Sequence, residues 1–280
     1  MQHRDNSLPD LSGQRVLITG ASGGVGGGIA EAFAAAGARV AVHYRGSANA
    51  AFELVERLRE RGCEAVAVRA DLGEPGAAEA LIEEVTRALG GIDGLVNNAG
   101  VQPVQTLEDT TRADWDAVLG TNLGAVFELT RAAAAAMSAD TTTAATAANG
   151  AASKAEADDP GPNRWITHIA SVEAHRPSPA HAHYAAAKAG LVMHARAAAL
   201  ELGPAGIRVN TVSPGLVERP GLDADWPEGV ASWRAHAPLG RLATARDIGN
   251  ACALLASPAA NFITGQDLAV DGGMLATPGW

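Results

Sequence analysis

Short apolar runs alternate with longer stretches rich in Ala, Leu and Glu along nearly the whole chain. Four such runs, at 15–19, 39–43, 64–69 and 92–97, are each followed by a helical stretch, with Gly37, Gly62 and the Gly90-Gly91 pair as helix stops. Consecutive strands that run parallel need a long crossover, and a helix supplies it. The second half adds strand candidates at 165–169, 207–212 and 266–270, and helices over 112–137, 183–202 and 245–255. This rhythm predicts an α/β fold: one doubly wound parallel sheet between two layers of helices, with right-handed crossovers. In such sheets ligands sit beyond the carboxyl ends of the strands, near the point where the strand order reverses. One domain over residues 1–280 is expected. The stretch 139–163 breaks the pattern. It is rich in Ala, Thr and Asp with no hydrophobic period, and reads as an inserted, mobile surface loop, either solvated filler or a lid.

Charge and composition remove several function classes. A net charge of −10 argues against a nucleic-acid partner, because phosphate backbones need a basic footprint. No uninterrupted apolar run approaches the ~20 residues of a membrane helix, and residues 1–13 lack the apolar core of a signal peptide. Cys63 and Cys252 lie far apart, with no C-x-x-C spacing, so neither a disulfide framework nor a zinc site is expected. Together these predict a cytoplasmic protein with no membrane partner.

The turn after the first strand reads Thr19-Gly20-Ala21-Ser22-Gly23-Gly24-Val25-Gly26. Glycines let the backbone turn tightly and approach a pyrophosphate, while a helix amino end offers free N–H groups and a positive dipole. Ser22 adds a hydroxyl. The G-x-x-x-G-x-G spacing differs from the dinucleotide fingerprint G-x-G-x-x-G, but the physical need is the same. The end of the second strand should meet the adenosine 2′ group of a bound cofactor. There the chain reads His43-Tyr44-Arg45-Gly46-Ser47. No acid is present to hold the ribose hydroxyls of NAD(H), whereas Arg45, with Ser47, suits a 2′-phosphate and favours NADP(H). The alternative for Arg45 is an exposed cation leading into a helix. Asp71 and Leu72, after the third strand, are placed to bond and pack an adenine, or Asp71 caps the next helix. Asn97-Asn98-Ala99-Gly100 closes the fourth strand, as a turn or as a close approach to a ribose.

Tyr184 and Lys188 stand four apart in a predicted helix and share a face. A free tyrosine titrates too high for proton transfer at neutral pH, and a nearby ammonium favours its ionised form. Ser171 ends the fifth strand, where its hydroxyl could hold a carbonyl oxygen. Asn122, in the helix after the fourth strand, could bond a water leading to Lys188. Singly these signals are weak; their order along the chain makes them specific.

With these residues the chain resembles the single-domain short-chain dehydrogenases/reductases. The resemblance spans 13–273 and rests on the Gly20-to-Gly26 turn, Asp71, Asn97 to Gly100, Asn122, Ser171, Tyr184, Lys188, Ser213-Pro214-Gly215 and Asp271-Gly272-Gly273. Within the family it is most similar to 3-oxoacyl-(acyl-carrier-protein) reductases and to glucose-dehydrogenase-like members. The resemblance implies a seven-stranded sheet in the order 3-2-1-4-5-6-7 and catalysis by Asn122, Ser171, Tyr184 and Lys188. In that scheme Tyr184 exchanges the proton, and Lys188 also holds the ribose. It adds Pro214, Gly215 and Val217 to the cofactor contacts and implies a homotetramer or dimer. Arg219 stands where the family often has a threonine that bonds the nicotinamide amide.

The segment 216–240 resembles the family's substrate-covering loop, and its Trp226 and Trp233 either close over a substrate or fix the loop to the body. His175, His181 and His183 have spacing unsuited to a metal site and read as solvated or substrate-lining groups. The expected activity is NADPH-dependent reduction of a small-molecule ketone to an alcohol. The alternatives are an NAD-linked alcohol or sugar dehydrogenase and a cofactor-binding regulator without catalysis.

Overall fold

A strand covered on both faces has no solvent side, so it can read as a continuous apolar run. That describes most of β1 (Arg15–Ile18), β2 (Arg39–Tyr44), β3 (Ala65–Arg69), β4 (Gly94–Asn97), β5 (Arg164–Ile169), β6 (Ile207–Pro214) and β7 (Asp267–Val270). The computed structural model describes residues 9–147 and 162–278. The strands form one parallel sheet in the order β3-β2-β1-β4-β5-β6-β7, as the resemblance implies. The helices are α1 (Gly24–Ala35), α2 (Ala48–Glu60), α3 (Ala77–Leu89), α4 (Arg112–Leu119), α5 (Ala125–Ala147), α6 (Ala182–Leu202), α7 (Leu222–Asp225), α8 (Pro227–His236) and α9 (Ala245–Ala256).

Neighbouring residues of one strand serve opposite layers. Val16 and Ile18 join the core under α1, α2 and α9, and Leu17 joins the core under α3, α5 and α6. Gly94 shows why a strand centre can require glycine. A Cβ there would lie 2.1 Å from Trp165 Cζ2 on the adjacent strand, and Trp165 in turn stacks on Phe33 at 5.3 Å. The helix α1 packs closely on α9 because small residues meet: a Cβ on Gly28 would lie 2.4 Å from Ala245 Cβ.

Two expectations need correction. The helix expected over 112–137 is interrupted by a π-helical turn, Gly120–Gly124, which holds Asn122. A single wider turn of this kind aims one side chain off the regular helical face, and such turns gather at functional sites. The loop expected from residue 139 is helical at its start, since α5 runs to Ala147. The alanines that lack a hydrophobic period are also the strongest helix formers. The rest of that stretch, 148–161, lies outside the described residues. The segment 216–240, expected to resemble a substrate-covering loop, contains α7 and α8.

Candidate active site

The parallel sheet puts the ends of β1, β4, β5 and β6 on one side, and there they border a cleft of about 1080 Å³. A reversal of strand order between β1 and β4 opens the space above the glycine-rich turn. Gly20 has φ +63°, and a Cβ on it would lie 2.9 Å from Ala99 Cα. A Cβ on Gly26 would lie 2.5 Å from Gly20 O and 2.6 Å from Asn98 Nδ2. Around Gly24, by contrast, a Cβ would meet nothing within 4 Å. The N-cap of α1, Gly23, makes no side-chain cap bond. The helix therefore presents uncapped N–H groups to the cleft, which suits an anionic pyrophosphate.

The turn is braced by residues outside it. Thr19 Oγ1 accepts from the N–H groups of Asn98 (2.9 Å) and Ala99 (3.0 Å), and Asn98 Nδ2 donates to Thr19 O at 2.9 Å. Buried His43 accepts at Nδ1 from the Gly20 N–H (3.0 Å) and donates from Nε2 to Ala70 O (3.1 Å). Both roles require a neutral ring, and burial lowers its pKa.

The expected residues divide between two places. Gly20, Gly24, Val25, Gly26, Asn98, Ala99, Gly100, Ser171, Tyr184, Lys188, Pro214, Gly215 and Val217 all line the cleft. Ser22, Tyr44, Arg45, Ser47, Asp71, Leu72 and Asn122 are not part of its lining. Tyr44 is buried against Phe52, ring centres 6.0 Å apart, so its side chain serves the core. Arg45 and Ser47 are exposed beyond β2, and Arg69 Nε donates to Arg45 O at 3.2 Å. Asp71 Oδ1 accepts from Gly73 N–H at 3.1 Å instead of capping α3, whose N-cap is Gly76. Asn122, expected to bond a water leading to Lys188, has its side chain bonded at both ends to Val101: its Oδ1 accepts from the N–H and its Nδ2 donates to the carbonyl, each at 2.8 Å. That pairing pins the strand-end segment after Gly100 to the π turn.

Ser171, Tyr184 and Lys188 converge below the cleft. The Ser171 side chain is close enough to the Tyr184 phenol to draw its pKa down. Lys188 Nζ lies 5.5 Å from the centre of the Tyr184 ring and donates to Ile169 O at 2.7 Å. Burial dominates the electrostatics. It pushes the Tyr184 phenol up to about 12, with the Ser171 side chain pulling down and the Glu173 charge pushing up. It pushes the Lys188 ammonium down to about 8. The lowering of the phenol expected from a neighbouring lysine does not appear; desolvation dominates in the free protein.

A model of the short chain dehydrogenase family matches residues 14–154, and one described as Enoyl-(Acyl carrier protein) reductase matches residues 151–275. The chain belongs to the short-chain dehydrogenases/reductases. 3beta-Hydroxysteroid dehydrogenase 1 of Eggerthella lenta is 34% identical over 97% of each chain. The 3-oxoacyl-(acyl-carrier-protein) reductase of Escherichia coli is 35% identical over 95% of this chain and 98% of its own. Among solved structures, a short-chain type dehydrogenase/reductase from Mycobacterium marinum superposes with a TM-score of 0.81 at 34% identity, covering 97% of this chain and 98% of that one. A 7α-hydroxysteroid dehydrogenase complexed with NADH and 7-oxo glycochenodeoxycholic acid gives 0.82 at 32% identity, covering 94% and 95%. This short-chain dehydrogenase/reductase is accordingly an oxidoreductase of CH–OH and C=O groups that uses a nicotinamide cofactor.

Two residues beside the site, Gln102 and Glu173, escaped the sequence reading. With His181, expected to be solvated or substrate-lining, they form a bonded cluster at the rim of the cleft. Glu173 carried a readable signal, an acid two residues after Ser171, but only the fold shows that it is buried. Arg219 lines the cleft yet is paired with Asp225 at 2.7 Å, so it is not a free cation there. Trp226 lines the cleft, whereas Trp233 packs with Leu222, Val230 and Leu242 and fills the space a Cβ on Gly215 would take. His175 pairs with Asp267 at 2.6 Å.

Proposed function

We propose that this enzyme is an NADPH-dependent reductase that converts a ketone to a secondary alcohol, in the manner of the 3-oxoacyl-(acyl-carrier-protein) reductases. The cofactor fits the cleft: the cradle formed by Gly20, Gly24, Val25 and Gly26 would take the pyrophosphate, and Asn98, Ala99, Gly100, Lys188, Pro214, Gly215 and Val217 would border the rest. When bound, the cofactor supplies the hydride. The observation that carries the NADPH preference is the corner beyond β2. Residues 43–47 contain no carboxylate, Arg45 is exposed, and a second arginine, Arg69, donates to the Arg45 carbonyl. Two cations at one corner suit a 2′-phosphate and, unlike a carboxylate, offer no acceptor to a ribose hydroxyl.

The chain's own residues supply the rest. Ser171 and Tyr184 hold the carbonyl oxygen between two hydroxyls. Tyr184, protonated at neutral pH because burial keeps its phenol high, donates its proton to the oxygen as negative charge develops there. Lys188, still largely charged at neutral pH, steadies the anion left on Tyr184. Asn122 keeps the strand-end segment in register through Val101. Tetramer or dimer formation is supported by the exposed apolar side chains Phe127 on α5 and Met193 and Leu200 on α6. Among the described residues no helix is long and apolar enough to cross a membrane, which is compatible with a cytoplasmic setting.

The test is Arg45→Ala. A charge-assisted bond to phosphate contributes about 1.5–3 kcal/mol, so NADPH should bind roughly ten- to a hundredfold more weakly while NADH changes little. Calorimetric titration with each cofactor measures both. Equal losses for the two would remove the phosphate reading.

A further inference from the structure

Glu173 is an acid with a place but no role in the scheme above. It sits in the short 3-10 turn Val172–Ala174, directly after Ser171, and its own N–H donates to Ser171 Oγ at 3.1 Å. Its side chain is about nine-tenths buried. Burying a carboxylate is costly unless its oxygens are satisfied, and here three donors meet them. Gln102 Nε2 donates at 2.9 Å, His181 Nδ1 at 3.0 Å, and the Ser178 N–H at 3.4 Å. Those donors come from the segment after β4 and from the approach to α6, so one carboxylate ties both rims of the substrate cleft together. The contact does not stop at the rim. The His181 ring stands edge-on to Tyr184, centres 6.1 Å apart, and among the described residues its Nε2 is buried with no hydrogen-bond partner. A proton on Nδ1 facing Glu173 leaves that Nε2 an acceptor. The catalytic phenol is therefore flanked by a lysine on one side and by an anion with its imidazole on the other.

We propose that Glu173 is a positioning residue for the proton donor: its buried carboxylate, acting across His181 and Ser171, keeps Tyr184 in the protonated form and sets the pH at which the site changes from proton donor to proton acceptor. This rests on the reading of Tyr184 as the proton donor. An anion near a phenol opposes its ionisation, and in a water-poor site that opposition is poorly screened. Glu173 does raise the Tyr184 pKa in this structure, after burial itself. The other titratable groups around the phenol are Lys188 and His183 on α6, His181 at its start, and the Arg219–Asp225 pair across the cleft. Asp114 on α4 faces His183, and His168 on β5, near Lys188, is held at about 3 by burial and stays neutral. Within this set Glu173 is the anion bonded into the phenol's own surroundings.

The chain has two tyrosines, Tyr44 and Tyr184. Tyrosine labelled with carbon-13 at Cζ therefore gives two resonances, and the one lost in Tyr184→Phe is assigned. The titration of that resonance is followed in wild type and in Glu173→Gln, free and saturated with NADP⁺, whose positive ring brings the midpoint down into an accessible range. The midpoint should fall on the order of one pH unit in Glu173→Gln, and Glu173→Asp, which keeps the charge, should stay near wild type. The high-pH rise of alcohol oxidation, which needs the ionised phenol, should move by the same amount. An unchanged midpoint in folded Glu173→Gln overturns the proposal, even if turnover falls, because a merely structural brace would cost rate without moving an ionisation. Should that variant not fold, Glu173→Met removes the charge at similar length and is read the same way. A shifted midpoint in a protein that reduces no ketone would keep the role of Glu173 and remove the reductase reading instead.

Discussion

Tyr184→Phe should lower turnover by about 10²–10⁴-fold, the usual span for losing a positioned proton donor, while cofactor affinity stays within a few-fold of wild type. Phenylalanine keeps the ring beside Lys188 and removes only the phenol oxygen. The loss should therefore appear in kcat, measured by steady-state consumption of reduced cofactor, and leave the cofactor's fluorescence titration intact. The pH dependence has a defined sign. Tyr184 is held up at about 12 and Lys188 down at about 8. Reduction should then be level through neutral pH and decline as the lysine loses its charge above about 8. Oxidation of an alcohol, which needs the phenol to accept a proton, should instead rise toward the higher pH at which Tyr184 ionises. A variant that keeps an appreciable share of the rate would remove Tyr184 from the role assigned to it.

Gly26→Ala is the second large effect, and it acts on binding. The added methyl would lie 2.5 Å from Gly20 O and 2.6 Å from Asn98 Nδ2, where neither neighbour can withdraw without opening the turn. Overpacking of this kind costs about 1–3 kcal/mol of stability. The shift also breaks the Asn98 bonds to Thr19 and Gly20 that hold the cradle shut. Cofactor affinity should fall roughly a hundredfold, the scale of about 3 kcal/mol, with a lowered melting temperature. Gly24→Ala is the control for stability, because its methyl would meet nothing within 4 Å of the protein. It should melt like wild type and lose affinity only through contact with the cofactor. Tight cofactor binding by Gly26→Ala would show that close backbone approach is not what this glycine provides.

The fold was legible because its signals are repetitive. Strands buried on both faces read as apolar runs, and glycines such as Gly37, at φ +92°, mark where helices must end. The strand order itself came from the resemblance, since no local pattern fixes which strands pair. The interruption at Gly120–Gly124 was missed although Gly-Thr-Asn-Leu-Gly is poor in helix formers, because a weak stretch marks a possible break without showing that the turn widens. Within the site, motif residues with chain-local spacing, such as Tyr184 and Lys188, were found. Residues that act only through distant partners were not. His43 looks like an ordinary strand residue until the fold sets its imidazole between Gly20 and Ala70, 23 and 27 positions away. Gln102 and Glu173 are 71 positions apart and meet only at the cleft rim. The charge state of Tyr184 was misjudged for a similar reason: spacing reveals the lysine, but burial, which dominates, belongs to the tertiary structure.

The most direct test is to follow oxidation of NADPH and NADH in parallel against a panel of ketones that includes β-ketoacyl thioesters and keto sugars. Turnover of at least one ketone, with kcat/KM for NADPH well above that for NADH, is the predicted result. A clear preference for NADH would contradict the reading of the Arg45 corner and make the protein an NAD-linked dehydrogenase, and binding of either cofactor without turnover of any ketone would contradict the reductase itself.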